Sequence, residues 1–254
     1  MTDGSRVVVI TGGAGGMGRA IAERFAGAGS TVVLADLTPS ALDDAVRDVT
    51  GVDTIAADVT SVDDCERIVA TTLERHGRID VLVTAAGVWV EGPSVEMTEA
   101  QWDRTIDVNL KGTFFACRSA IPALVASRGC IVAISSDYGL VGGPGAAIYC
   151  ASKFGVNGLV RSLALELAPQ GVRANSVCPA DVDTPMLAGQ ARDFGNGDEA
   201  GYLANLLATL PQGERARFIR PDEVASLVAF LASDEATPIT GLCVPIEWGV
   251  TAGY

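Results

Sequence analysis

The sequence predicts a doubly wound α/β domain, a parallel sheet of about seven strands flanked by helices. Two observations carry this expectation. Short β-branched runs alternate with longer helical patterns along the chain, and the runs are apolar nearly throughout, as strands covered on both faces must be. A glycine-rich turn, Thr11-Gly12-Gly13-Ala14-Gly15-Gly16-Met17-Gly18, joins the first run to the first helical pattern. That is the strand–turn–helix setting of a Rossmann-type dinucleotide site.

Strands are expected at residues 7–10, 31–35, 54–57, 81–84, 131–135, 173–177 and 243–246, and helices at 16–26, 39–49, 62–75, 98–127, 148–167 and 221–232. Thr38 before Pro39 has the form of an N-cap followed by proline at the first helical position. Pro122 should kink or end the long fourth helix unless its surroundings accommodate it. Right-handed crossovers then wind the strands into one sheet. No repeat, low-complexity tract or linker divides the chain, so residues 1–254 are expected to form one dinucleotide-binding and catalytic domain. One segment breaks the alternation. Residues 183–218 contain Gly189, Gly195, Gly197, Pro211 and Gly213 and follow the C-terminal end of a strand, which suggests a substrate lid.

Composition narrows the function. A net charge of −13 opposes binding to nucleic acid or to an anionic membrane. Cys65, Cys117, Cys130, Cys150, Cys178 and Cys243 form no CxxC pair and no metal-ligand spacing, and a reduced, cytoplasmic setting is expected. His76 is the single histidine and sits at a helix end before Gly77, which argues against a histidine-based metal site or a Ser-His-Asp triad. The start, Met1 to Arg6, has no signal-peptide layout, and no apolar run is long enough to span a bilayer.

The glycine-rich turn lets the backbone approach a pyrophosphate at a helix N-terminus, which points to Gly12, Gly15, Gly16, Met17 and Gly18. Asp36 ends the second strand about 20 residues further on, where a carboxylate can accept from ribose hydroxyls. It would repel the extra phosphate of NADP, and neither Leu37 nor Thr38 offers a compensating cation, so NAD is the expected cofactor. Asp58 and Val59 end the third strand and are candidates for the adenine edge.

Tyr149 and Lys153 stand at i and i+4 and share a helix face, and Ser136 closes the fifth strand thirteen residues before Tyr149. With these residues in place the chain resembles the short-chain dehydrogenase/reductase family in its compact form, over essentially its whole length. Thr11 to Gly18 matches the family's TGxxxGxG pattern, and Tyr149 to Lys153 its YxxxK pattern. By that resemblance Tyr149 is the general acid/base, and Lys153 lowers its pKa and holds the nicotinamide ribose. Ser136 bonds the substrate oxygen, and Asn109 keeps a water in the proton relay. Ala86 and Gly87 lie beside the cofactor, and Val182 and Thr184 contact the nicotinamide amide. The resemblance also implies a homotetramer paired through the long helix, the 148–167 helix and the last helix and strand, where Phe114, Phe115, Cys117, Leu242, Val244 and Ile246 need burial.

Three departures stand out: Thr84-Ala85-Ala86-Gly87 in place of an asparagine pair before Ala-Gly, Pro179-Ala180 in place of Pro-Gly, and Ile246-Glu247-Trp248-Gly249 at the end. Trp248 is open between lining a substrate pocket and packing an interface. The pocket wall is expected to come from Val88-Trp89-Val90, Tyr138 to Val141, Met186, Leu187, Phe194, Tyr202 and Leu206, largely apolar and with Arg192 as its one cation. An apolar wall gains roughly 25 cal/mol per Å² of apolar surface hidden from water. It favours an uncharged hydrophobic or cyclic secondary alcohol or ketone over a phosphate or a hydroxy acid. An NAD-binding regulator, or a lyase or epimerase on the same fold, is the alternative.

Overall fold

The computed structural model describes residues 6–47 and 49–253. Seven strands form one sheet: β1 (Val7–Thr11), β2 (Thr31–Asp36), β3 (Val52–Ala56), β4 (Val81–Thr84), β5 (Cys130–Ile134), β6 (Arg173–Pro179) and β7 (Cys243–Ile246). Every pairing is parallel, in the order β3-β2-β1-β4-β5-β6-β7. The chain order reverses at β1, which lies between β2 and β4. A crevice therefore opens there, outside the carboxyl ends of the strands.

Side-chain alternation along each strand feeds two cores, one on each face of the sheet. Val8 and Ile10, with Val32 and Leu34, pack on α1 (Gly16–Gly27), α2 (Pro39–Val46) and α9 (Pro221–Ala232). Val9, with Val33 and Ala35, packs on α3 (Val62–His76), α5 (Gly112–Ser127) and α6 (Ala147–Leu167). The near-continuous apolar runs are thus the two-sided burial of central strands.

Several sequence expectations need correction. Thr38 and Pro39 do open α2, but the Thr38 side chain makes no cap hydrogen bond. The helix stops at Val46 rather than at 49, and the last turn expected there includes Asp48, outside the described residues. Met1–Ser5 lie outside them too. The long fourth helix is three pieces: α4 (Glu99–Ile106), a π-helical turn (Asp107–Lys111) and α5. Thr98 and Gln101 form a reciprocal capping box at its start. Pro122 does not end α5, which runs on to Ser127.

The stop comes at Arg128 and Gly129, where a Cβ on Gly129 would lie 2.2 Å from the Asp80 carbonyl oxygen. Residues 183–218 are not an irregular loop. They fold as α7 (Pro185–Phe194), α8 (Glu199–Ala208) and a 3₁₀ turn at Gly213–Arg215, capped by the Thr184 and Asp198 side chains. An isolated bridge between Val182 and Ile219 ties the two ends of this excursion together. Among the described residues no helix is long and apolar enough to cross a membrane.

Candidate active site and cofactor cleft

The glycine turn closes tightly against the end of β4. Gly12 has φ +69°, and a Cβ there would come 2.5 Å from the Ala86 nitrogen. Gly18 is equally confined, since a Cβ would sit 2.2 Å from the Gly12 carbonyl oxygen. Gly15 caps α1 without any side chain, so the first N–H groups of the helix are left for an anion. Gly16 abuts Thr184, which brings the segment after β6 onto the glycine turn. Met17 packs against the core behind it.

Asp36 is half-buried. Its Oδ2 accepts from the Ala14 N–H at 3.0 Å and its Oδ1 from the Leu37 N–H at 2.8 Å. The carboxylate therefore fastens the glycine turn to the end of β2 and does not cap α2. The Asp58 carboxylate is partly spent on a turn, with Oδ1 accepting from both the N–H and the hydroxyl of Thr60. Val59 is buried against Cys65 and Ala116, and Gly112 leaves room for it, since a Cβ there would meet Val59 at 2.9 Å.

Ser136, Tyr149 and Lys153 converge. Ser136 follows β5 and is buried, and its Oγ donates to Asp137 Oδ1 at 2.7 Å. Lys153 is buried one turn along α6 from Tyr149. Its Nζ donates to the Ile134 carbonyl at 3.0 Å and lies 5.6 Å from the centre of the Tyr149 ring. Gly87 lies against both Lys153 and Asn109, and a Cβ there would stand 3.6 Å from Nζ and 3.5 Å from Asn109 Oδ1. The glycine turn, the bare helix start and Asp36 have the chemistry that a dinucleotide's pyrophosphate and ribose call for, and Gly87 leaves space beside Lys153 Nζ.

Burial displaces both members of the Tyr149–Lys153 pair toward neutrality. It raises the Tyr149 pKa, with Asp137 and Asp181 adding to the rise and a hydrogen bond with Ser136 opposing it. It lowers Lys153 to about 8. The lowering of the Tyr149 pKa that the family resemblance implies for Lys153 is not seen in this state, where burial dominates.

Asn109 occupies the π turn, and its side chain is fully engaged. Oδ1 accepts from the Val88 N–H at 2.8 Å, while Nδ2 donates to the Val88 carbonyl and to Ser152 Oγ, both at 3.0 Å. The side chain is thus a brace between the ends of β4 and α6. Its backbone carbonyl accepts from Thr113 Oγ1.

A cavity of about 380 Å³ opens between the segment after β4, α4 and α7. Val88, Trp89, Val90, Met186 and Phe194 line it as expected. Gln101 and Arg104 of α4 also line it, so the expectation of no cation ahead of the lid is overturned, although Arg104 is exposed. Arg192 is exposed. Trp89 lies over Tyr149, with ring centroids 4.5 Å apart, and stacks on Tyr138 at 5.9 Å.

Carboxylates around this site went unread in the sequence. Glu91 accepts from the Trp89 indole and the Tyr202 hydroxyl. Asp181 is raised to about 6 by burial and by the charges of Asp137 and Glu91. Asp137 is buried beside Ser136, with its pKa raised by that burial. The available signal was adjacency: an aspartate follows the candidate serine directly, and another precedes Val182.

Trp248 does not line the cavity beside Val88–Val90. It packs under the lid's return, where Gln212 Nε2 donates to its carbonyl at 2.6 Å and the Arg217 guanidinium lies 4.7 Å from its ring. Thr84, in place of an asparagine, leaves its hydroxyl buried with no hydrogen-bond partner. His76 meets Asp53 at 2.9 Å in the last turn of α3, a helix-end contact far from this chemistry.

The family model described as "Enoyl-(Acyl carrier protein) reductase" matches residues 12–251. The chain belongs to the short-chain dehydrogenase/reductase family. It is 40% identical over 250 residues to meso-2,3-butanediol dehydrogenase of Serratia marcescens, covering 98% of this chain and 95% of that one. It is 38% identical over 253 residues to the 3-oxoacyl-[acyl-carrier-protein] reductase FabG of Thermotoga maritima, covering 96% and 97%. A solved structure of an actinorhodin polyketide ketoreductase variant with NADPH superposes with a TM-score of 0.91 at 33% identity, covering 97% of each chain. Short-chain dehydrogenase/reductases are oxidoreductases that use a nicotinamide cofactor, and the glycine turn, Asp36 and the space beside Lys153 fit that group.

Proposed function

We propose that this protein is an NAD(H)-dependent dehydrogenase that interconverts a secondary alcohol and a ketone. The observation that carries the reading is the convergence of buried Ser136, buried Lys153 and half-buried Tyr149, with Gly87 against Lys153 Nζ. NAD, when bound, supplies the hydride acceptor and a positive ring. Near that charge the Tyr149 phenol ionises more readily, offsetting the burial that raises it. Ionised Tyr149 then takes the proton of the alcohol oxygen and becomes neutral, Ser136 holds that oxygen, and Lys153 holds the ribose and stabilises the phenolate before that transfer. Asn109 acts as the brace that sets Val88 and Ser152 around them. Ala86, Gly87, Val182 and Thr184 are the walls against which the nicotinamide packs, and Asp58, Val59 and Leu37 border the adenosine end.

Asp36 is the basis for NAD over NADP, since a half-buried carboxylate beside the glycine turn repels a further phosphate. The substrate proposed is uncharged and hydrophobic or cyclic. Val88, Trp89, Val90, Met186 and Phe194 supply the apolar wall. Asp137 and Asp181 near Tyr149, with Glu91 near Asp181, disfavour an acid more strongly than the sequence suggested.

A cytoplasmic homotetramer is proposed as the working form. Phe114 on α5, Phe154 and Leu165 on α6, Phe230 on α9 and Leu242 before β7 are exposed apolar side chains on the elements expected to pair. Cys117, by contrast, is wholly inside the fold.

A panel of cyclic, aryl and acyclic secondary alcohols with NAD, and their ketones with NADH, tests the assignment through the absorbance of the reduced nicotinamide. Turnover is expected on at least one uncharged pair and should exceed that on hydroxy acids. Cofactor binding without turnover on any pair would instead indicate a regulator.

A further inference from the structure

A hollow of about 600 Å³ lies at the amino ends of the strands, across the sheet from the crevice that holds Ser136 and Tyr149. It runs under four adjacent strands, with Arg6 just before β1, Arg78 and Asp80 before β4, and Arg173 opening β6 beyond the start of β5. Arg128 and Asp234 complete the set of charges. Four arginines thus face two aspartates, in a chain whose net charge is −13. The aspartates are already spent. Asp80 is buried, takes the Arg78 guanidinium at 2.6 to 3.1 Å and accepts the Val7 N–H at 2.9 Å, and Asp234 pairs with Arg6.

The other two arginines keep their charge. Among the described residues Arg173 donates only to the carbonyls of Leu231, Ser233 and Ile239, which satisfies the end of α9 without neutralising the guanidinium. Arg128 has no hydrogen bond or ion pair among them. Ser127 and Ala232, the last residues of α5 and α9, also line the hollow, and such helix ends supply roughly half a negative charge each. A positive excess remains. Arg128 has φ 53°, the left-handed region where glycine or asparagine is usual. Its stem lies along Gly171, where a Cβ would meet Arg128 Cγ at 3.5 Å, so the stem is packed and the fork is left over. The Thr240 hydroxyl, also in the wall, accepts the Ala174 N–H at 3.1 Å and still has its own proton to give.

We propose that this hollow is a second ligand site, one that takes a phosphate-bearing anion. Forked guanidinium donors match phosphate oxygens two at a time, and an arginine is the side chain best suited to that geometry. Arg128, Arg173 and Thr240 come from the end of α5, the start of β6 and the segment before β7. Donors converging from three elements suit a tetrahedral group better than a flat carboxylate. The site is independent of the redox reading of the opposite crevice.

Inorganic pyrophosphate is the probe, titrated calorimetrically into the full chain saturated with NADH, so that the glycine turn is already filled. The wild type should bind it with a dissociation constant of about 1 mM or tighter. Arg128→Gln breaks no bond of the fold and should weaken binding by roughly tenfold or more, as loss of charge-assisted hydrogen bonds does. Arg128→Lys keeps the charge without the fork and should fall between the two. Arg161→Gln, at an exposed position of α6 outside the hollow, changes the net charge equally and should leave the affinity as it was.

Absence of pyrophosphate binding to the NADH-saturated wild type would overturn the proposal. So would an Arg128→Gln protein that binds as tightly as the wild type. An equal loss in Arg161→Gln would overturn it too, by reducing the effect to overall charge.

Discussion

The Tyr202 hydroxyl on α8 donates a 2.7 Å hydrogen bond to Glu91 Oε2, the oxygen that also accepts the Trp89 indole N–H at 3.1 Å. One carboxylate thereby ties α8 to the wall that covers Tyr149, because the Trp89 ring lies 4.5 Å from the Tyr149 ring. Tyr202→Phe removes the α8 half of this clasp and leaves Trp89 held. A hydrogen bond to a charged group is worth roughly 1.5–3 kcal/mol, so KM for the alcohol should rise about tenfold or more. The same bond is present in the unliganded fold, so the melting temperature should fall as well. Steady-state kinetics and a melting curve check both parts, and an unchanged KM would show that the clasp plays no part in holding the substrate.

On the proposed reading, cofactor choice depends on Asp36. The wild type should favour NAD over NADP by at least roughly tenfold in kcat/KM, a difference of about 1.4 kcal/mol. Asp36→Ala should erode this preference by removing the repulsion. The same change frees the Ala14 N–H, so some loss of affinity for NAD is expected as well. Comparison of kcat/KM for both cofactors in both proteins decides it. Equal use by the wild type would sink the electrostatic argument.

Lys153 makes a stability prediction of definite sign. Its pKa is lowered from 10.5 to about 8 by burial, so below pH 8 the folded protein carries a desolvated ammonium. Between about pH 8 and 10.5 the unfolded chain holds more protons than the folded one, and this cost fades as pH rises. Lys153→Met should therefore raise the melting temperature at pH 7, by a free energy on the order of 2 kcal/mol once the lost bond to Ile134 is deducted. That gain should shrink as pH climbs toward 10.5, while activity is lost at every pH. A melting series across this range reads it directly, and a gain that grew with pH would contradict the burial argument.

Much of this molecule was legible in its sequence, for identifiable reasons. Val7 to Thr11 and Cys130 to Ile134 are buried throughout, so their apolar runs have no competing explanation. The Gly12–Gly18 turn and the Tyr149–Lys153 spacing are short-range patterns, fixed by local backbone geometry. The π turn at Asp107–Lys111 was not legible, because a one-residue widening leaves the helical periodicity almost intact. The lid helices were hidden by their glycines, although Thr184 before Pro185 and Asp198 before Glu199 carry proper start signals. Glu91 and Asp181 escaped notice because their meaning is tertiary. Nothing near Glu91 in the chain announces Tyr202, which is 111 residues away.

Tyr149→Phe tests the central assignment most directly. Only the hydroxyl is lost, while the ring beneath Trp89 and the Lys153 recess remain. Removing a proton-transfer group of this kind costs roughly 10²–10⁴-fold. The variant should therefore lose turnover on that scale while binding NADH nearly as the wild type does. Retention of most of the activity, with normal cofactor binding, would remove Tyr149 from the mechanism.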